Sequence, residues 1–134
     1  MTYKGTLAIT STKRMELIDI TEQINRVIAA NGCLSGVCTL YNPHTTAAVT
    51  INEGADPAVR GDLIAAFGRM VPDHAHYQHL EGNSPAHVMT AMVGSSALAF
   101  VEEGKLQLGT WQRIFFCEFD CPRQRKLHWR LNAD

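Results

Sequence analysis

The sequence is short of the features that mark membrane, exported and multidomain proteins. It has no continuous apolar run of the about 18 residues that a transmembrane helix needs. The first residues lead directly into an alternating pattern and lack the apolar core of a secretion signal. No linker rich in proline, glycine or serine and no internal repeat interrupts the chain. We therefore expect a single cytoplasmic domain over residues 1–134, with no membrane partner.

An excess of charge of either sign is also missing. Twelve basic and thirteen acidic residues give a formal net charge of −1, so no basic field is present to hold nucleic acid. The one basic cluster is Arg123, Arg125, Lys126 and Arg130. Its alternation favours one solvated face of a strand over a nucleic-acid patch, and we expect no nucleic-acid partner.

Cysteines are few, and none are paired at metal-ribbon spacing. Neither Cys33 with Cys38 nor Cys117 with Cys121 has the two-residue separation of zinc ribbons. Free thiols in a reducing compartment are the favoured interpretation. A four-cysteine zinc site built from both pairs is the less favoured alternative.

The hydrophobic content of 46% and the charged fraction of 19% predict a globular core. Thr21 as an N-cap, Asp56-Pro57 and Ser84-Pro85 indicate the starts of three helices, which end near residues 30, 70 and 92. Residues with β character fill most of the remainder, at 3–10, 15–20, 36–42, 45–52, 96–101, 105–108, 110–119 and 125–131. This order predicts an α+β fold with mostly antiparallel sheets rather than a doubly wound parallel sheet.

Three segments concentrate polar side chains that can do chemistry. The first runs from His44 to Pro57 and includes Glu53, and the second contains His79 and His87. Imidazoles are common ligands of zinc and related cations, although no contiguous motif such as His-Glu-x-x-His is present. His87 would lie near the positive end of a helix dipole, which favours its neutral form, and the same helix start would offer N–H groups to an anion. From the residues alone, a well-capped helix is the favoured interpretation of this second segment.

The third polar segment, residues 108–123, reads first as core strand. Its glycine at 109 permits a close backbone approach. The side chains of Gln112, Glu118, Asp120 and Arg123 would face either a site or water.

Taken together, the three segments resemble the YjbQ-type family, also called the secondary thiamine-phosphate synthase family. The resemblance is carried by His44-Thr45-Thr46-Ala47-Ala48 with Asn52-Glu53 and Asp56-Pro57, by Tyr77 to His87, and by Leu108 to Gln112 with Glu118-Phe119-Asp120 and Pro122-Arg123. It implies a compact α+β fold, a homotrimer, a polar pocket near the subunit boundary, and His44, His79 and His87 as metal-binding histidines. Cys121 departs from the family pattern, which has glycine after Phe-Asp. If that position requires a positive φ, either Cys121 carries a conformational penalty or the turn differs locally.

The activity that the resemblance implies is the coupling of a pyrimidine pyrophosphate to a thiazole phosphate, with release of pyrophosphate. A divalent ion, zinc or magnesium, would assist the departure of pyrophosphate. Glu53 and Asp120 are the expected catalytic residues, with Glu53 acting as a general base or as a residue that orients a metal ligand. Contacts to a small phosphorylated substrate are expected from Thr46, Asn52, Asn83, Ser84, Gln112 and Arg123. The alternatives are a metal-dependent hydrolase of a small phosphorylated or amide substrate and a non-catalytic small-molecule-binding trimer.

Overall fold

The computed structural model describes all residues from 1 to 134 and contains eight strands and three helices. In chain order they are β1 (Thr2–Thr10), β2 (Glu16–Asp19), α1 (Thr21–Ala30), β3 (Gly36–Tyr41), β4 (Ala47–Glu53), α2 (Pro57–Met70), α3 (Ser84–Val93), β5 (Ser96–Glu102), β6 (Lys105–Gln107), β7 (Gln112–Glu118) and β8 (Gln124–Ala133). The predicted strands and helices are all present, and their ends differ from the predictions by one or two residues.

The strands form two antiparallel sheets. The larger sheet has the order β1-β8-β3-β5-β6, and the smaller has the order β2-β7-β4. Strand β1 pairs with β8 over its whole length, in a register that places Thr2 opposite Asn132 and Thr10 opposite Gln124. The predicted α+β class with antiparallel sheets is confirmed, and a doubly wound parallel sheet is excluded.

Two cores lie on opposite sides of the smaller sheet. Ile114 and Phe116 of β7 face a core shared with the larger sheet and α1. Phe115 and Cys117 of the same strand face a second core, which α2 and α3 cover. Because successive side chains of a strand point to opposite faces, a strand buried on both faces reads as a continuous apolar run. The molecule therefore has three layers, with β7 in the middle one.

The helix starts correct two of the sequence predictions. Asp56 caps α2 as predicted, since its carboxylate accepts the Ala58 N–H at 2.9 Å. Thr21, predicted as an N-cap, is instead the first residue of α1, and its hydroxyl accepts the Ile114 N–H at 2.8 Å. Ser84 is likewise the first residue of α3, and the N-cap is Asn83. Both residues thus lie one position later than an N-cap, and the Thr21 hydroxyl bonds to β7 rather than to its own helix.

One face of the larger sheet packs on the core, and the other is open. Leu98 and Phe100 of β5 are each 56% exposed, and Tyr41 of β3 is 55% exposed. Phe100 lies opposite Val37 in the register of β3 with β5. None of the three helices has the length and apolar character required to cross a lipid bilayer.

Candidate functional site

A buried ion pair joins the end of β7 to the start of β8. The Arg125 guanidinium contacts the Glu118 carboxylate through two nitrogens, with Nε to Oε1 at 2.9 Å and Nη2 donating to Oε2. Glu118 is fully buried and Arg125 is 4% exposed. Two charges withdrawn from water in this way require close mutual pairing and further hydrogen bonds.

Those further hydrogen bonds come from Ser11, Asp120 and Thr46. The Ser11 hydroxyl donates to Glu118 Oε1 at 2.7 Å, and the Asp120 N–H donates to Oε2 at 3.0 Å. Arg125 Nη2 also donates to the Thr46 hydroxyl at 2.9 Å and to the Thr46 carbonyl at 3.2 Å. Thr46 is itself buried. Its hydroxyl is engaged inside the protein, and its role in substrate binding stays a prediction.

Asn83, Asp120 and Arg123 converge from two separate segments. Asp120 Oδ2 accepts from Asn83 Nδ2 at 2.9 Å and from Arg123 Nη2 at 3.2 Å. The Asp120 side chain is 13% exposed, whereas that of Arg123 is 47% exposed. Three residues predicted for the site thus meet at one carboxylate, which bridges the turn after β7 to the start of α3.

An open cavity of about 510 Å³ lies beside this cluster. Its lining includes Asn83, Asp120 and Cys121, together with Arg14 and His74. Arg14 lies in the β1–β2 connection, lines the cavity and pairs with Asp73 at 3.4 Å. No local sequence pattern singles out Arg14 or His74, because only the fold brings them beside Asp120.

Cys121 has a left-handed backbone, with φ at 66°. A side chain with a Cβ is disfavoured in this region, which glycine adopts freely. The conditional expectation for this position is confirmed: the turn requires a positive φ, and Cys121 carries the resulting strain.

His44 is used within the fold. Its Nε2 accepts the backbone N–H of Lys126 at 2.9 Å, at a position of β8 beyond the end of its pairing with β3. The imidazole therefore takes the place that a carbonyl of a longer β3 would occupy. Burial, reinforced by the positive charge of Arg125, lowers the pKa of His44 below its ordinary value. The neutral ring required for this hydrogen bond is thereby favoured.

The other two predicted metal ligands lie together. The rings of His79 and His87 meet edge to face, with centroids 5.4 Å apart. No group of three or more histidine, cysteine, aspartate or glutamate side chains gathers around a common point that could hold a metal ion. The predicted site of His44, His79 and His87 is therefore not formed within one chain, where Nε2 of His44 accepts the Lys126 N–H instead. The donor set of a single chain does not fit a three-ligand zinc or magnesium centre.

Glu53, Asn52 and Gln112 lie at the other end of the smaller sheet. Glu53 is opposite Gln112 in the register of β4 with β7, whereas Ala47 is opposite Glu118. At about 3.3 Å per residue, Glu53 is roughly 20 Å along the strand from the Glu118 end. The Glu53 carboxylate accepts the Asp56 N–H at 3.1 Å, Asn52 Oδ1 accepts the Glu53 N–H, and Gln112 Oε1 accepts the Gly109 N–H. Within one chain, these predicted residues do not join the Asp120 cluster.

The start of α3 offers little to an anion. Pro85 has no N–H, and the N–H groups of Ala86 and His87 already point at the Asn83 carbonyl, at 3.0 and 3.4 Å. The predicted anion contact at Ser84 is therefore weakened, because most of the N–H groups that make a helix start attractive are already engaged.

The comparisons with known proteins agree with this architecture. The family model described as UPF0047 protein YjbQ-like matches residues 5–134. UPF0047 protein YugU of Bacillus subtilis (strain 168) is 46% identical, over 94% of this chain and 96% of its own length. UPF0047 protein YjbQ of Escherichia coli O157:H7 is 36% identical, over 88% of each chain.

Solved structures superpose closely on the fold. A YjbQ/UPF0047 family protein of Clostridium acetobutylicum matches with a TM-score of 0.92 at 39% identity, over 96% of this chain and 99% of that chain. A protein of Sulfolobus solfataricus P2 matches with a TM-score of 0.94 at 28% identity, over 100% of this chain and 99% of that chain. With the family model matched over nearly the whole sequence, this chain belongs to the YjbQ-like UPF0047 family.

Proposed function

We propose that the cavity beside Asp120 binds a small phosphorylated molecule and supports a transfer of the thiamine-phosphate-synthase type. The observation that supports this proposal is the convergence of Asn83, Asp120 and Arg123 beside a cavity of about 510 Å³ that Arg14 also lines. A cavity of this size is within the range of small-molecule sites.

The roles follow from individual side chains at the cavity, whose lining also includes the carboxylates of Asp73 and Glu81. Arg14 is exposed at the cavity and would contact phosphate oxygens, because a guanidinium matches their geometry. Asp120 is held as an acceptor by Asn83 and Arg123 and would orient a donor group of the substrate. Arg123 would fix Asp120 and add positive charge as pyrophosphate departs.

Product analysis with both precursors tests the proposal. We expect the pyrimidine pyrophosphate and the thiazole phosphate to be consumed together, with one pyrophosphate released for each coupling. Arg14→Gln and Asp120→Asn should each lower this rate by about tenfold or more, the scale of losing one charged contact. Arg26→Gln is the matched control, because it also removes one positive charge, at an exposed position of α1. It should leave the rate unchanged.

Two other outcomes would replace the proposal. Consumption of one precursor alone would identify a hydrolase. Binding of inorganic pyrophosphate with no turnover of either precursor would identify a non-catalytic binding protein.

We also propose that the chain forms a homotrimer in the cytoplasm and that the open face of the larger sheet lies in the subunit interface. Phe115 and Phe116 are buried and Trp129 packs on the core, so these aromatic side chains of β7 and β8 supply little of such an interface. Support comes instead from the exposed apolar side chains of Tyr41, Leu98 and Phe100. The four cysteines are free thiols, which suits a reducing compartment.

Light scattering on two variants tests the interface. Phe100→Arg should shift the particle mass from that of three chains toward the 14.8 kDa of one chain. Ala29→Arg, on the exposed side of α1, should leave the mass unchanged. An unchanged mass for both variants would place the interface elsewhere, and a wild-type mass of one chain would exclude the trimer.

A further inference from the structure

We propose that Ser11, Glu118 and Arg125 are positioning residues that hold the turn Asp120–Arg123 against the cavity. None of the three is among the residues that line the cavity, and all three are buried. The inference rests on the proposed location of the site, but not on any particular reaction there.

Both ends of the turn are tied to one carboxylate. At the first end, the Asp120 N–H donates to Glu118 Oε2 at 3.0 Å. At the second end, the Arg123 N–H donates to the Ser11 hydroxyl oxygen at 2.9 Å. That hydroxyl in turn donates its single hydrogen to Glu118 Oε1 at 2.7 Å. The Ser11 hydroxyl therefore links Glu118 to the far end of the turn through two consecutive hydrogen bonds.

Arg125 keeps the anchor itself fixed. Its two nitrogens grip both oxygens of Glu118, and it is tied to Thr46 at the start of β4. With Ser11 and Asp120 added, the carboxylate accepts four hydrogen bonds, which uses its full set of acceptor positions. A fully satisfied buried group of this kind holds a single arrangement, whereas a partly satisfied one loosens its neighbours.

The anchored turn carries the side chains that matter at the cavity. Asp120 and Cys121 line it, and Arg123 donates a hydrogen bond to the Asp120 carboxylate. Cys121 has a strained backbone, with φ at 66°, and such a conformation persists only where the surroundings determine it. The bonds to Glu118 contribute to that determination, together with the Ser11 N–H, which donates to the Arg123 carbonyl at 3.1 Å.

Ser11→Ala tests the inference, with Thr12→Ala as the matched control. Thr12 is the next residue, and its hydroxyl contacts the half-buried Glu16 side chain instead of the turn. Amide hydrogen exchange of the wild-type protein and of both variants is measured residue by residue. We expect the Arg123 amide to exchange about tenfold or more faster in Ser11→Ala, because it loses its acceptor. Core amides, such as that of Leu127, should exchange as in the wild type.

Binding of inorganic pyrophosphate, measured by calorimetry, is the second readout. Its affinity should fall several-fold in Ser11→Ala and stay unchanged in Thr12→Ala. Arg123 exchange no faster in Ser11→Ala than in Thr12→Ala would overturn the inference. An equal rise at the core amides would also overturn it, because the effect would then be global.

The two proposals fail in different ways. If the wild-type protein binds no pyrophosphate but the Arg123 amide still responds to Ser11→Ala, the proposed function fails and the positioning role stands. If the wild-type protein binds pyrophosphate and the Arg123 amide does not respond, the positioning role fails alone.

Discussion

At the scale of single residues, Cys121 is the clearest case of a side chain in conflict with its backbone. A non-glycine residue in the left-handed region costs about 1 kcal/mol or more relative to glycine. Cys121 has this unfavourable backbone conformation, and it lines the cavity.

We expect Cys121→Gly to raise the free energy of unfolding by about 1 kcal/mol, because glycine has no Cβ and adopts this positive φ without steric strain. Urea unfolding followed by circular dichroism measures it. Glu103→Gly, at the hairpin turn between β5 and β6 where φ is 51°, is a control outside the cavity and should gain a similar amount. A loss of stability in Cys121→Gly would mean that the thiol contributes more than the strain costs.

His44 gives the fold a dependence on pH. Its pKa is lowered in the folded state, first by burial and then by Arg125, with Glu118 acting in the opposite direction. A histidine with a lowered folded pKa stabilises the fold fully above its unfolded pKa, near 6.5, and this contribution is lost as the pH falls from there through the folded pKa.

We therefore expect the free energy of unfolding to fall between pH 7.5 and pH 5, and to fall less steeply in His44→Gln. The glutamine oxygen can accept the Lys126 N–H but does not titrate. His76→Gln, at an exposed loop position, is the control and should keep the wild-type slope. Equal slopes for the wild type and for His44→Gln would exclude His44 as the group responsible.

At the scale of elements, β7 and β8 show what an alternating pattern does and does not determine. Arg125 lies on the same face of β8 as Leu127 and Leu131, which are buried. The prediction that the basic cluster forms one solvated strand face is therefore wrong for Arg125, which lies on the opposite face of β8 from Lys126 and Arg130. Glu118 likewise shares a face with Ile114 and Phe116. The alternation thus indicates that each charge is buried, but it does not indicate which residue of another strand pairs with it.

We expect Arg125→Met to lower the free energy of unfolding by about 3–5 kcal/mol, the cost of leaving one charge of a buried pair alone. Lys126→Met, the next residue on the exposed face of β8, should change it by about 0.5 kcal/mol or less. Chemical denaturation of both variants provides the comparison. Similar losses in the two would show that the pair contributes no more than a surface charge.

At the scale of the whole molecule, the fold was more predictable than the site. Local patterns determine where strands and helices begin, and Asp56-Pro57 marked the start of α2 correctly. They do not determine which polar groups meet: the Thr46 hydroxyl, predicted to contact a substrate, accepts from Arg125. Nor do they give the distance between motifs: Glu53 and Asp120, both predicted as catalytic, belong to opposite ends of one sheet.

We expect the chain to unfold in one transition, because the two cores share β7. Phe115→Ala in one core and Phe116→Ala in the other should each cost about 3–5 kcal/mol. In both variants, tryptophan fluorescence and far-ultraviolet circular dichroism should report coincident transitions. Separate midpoints for the two probes would show that the cores unfold independently.

The pairing of β1 with β8 sets the order of events during synthesis. Thr6 and His128, which face each other across this pair, are 122 positions apart. A ribosome therefore releases β1 long before its partner exists, and the entropy of closing so long a loop must be overcome before the pair forms. Until then β1 is an unpaired strand with free backbone groups, open to any other nascent strand nearby. Its outward side chains are mostly threonine and lysine, a composition that disfavours such encounters and keeps the strand free for β8.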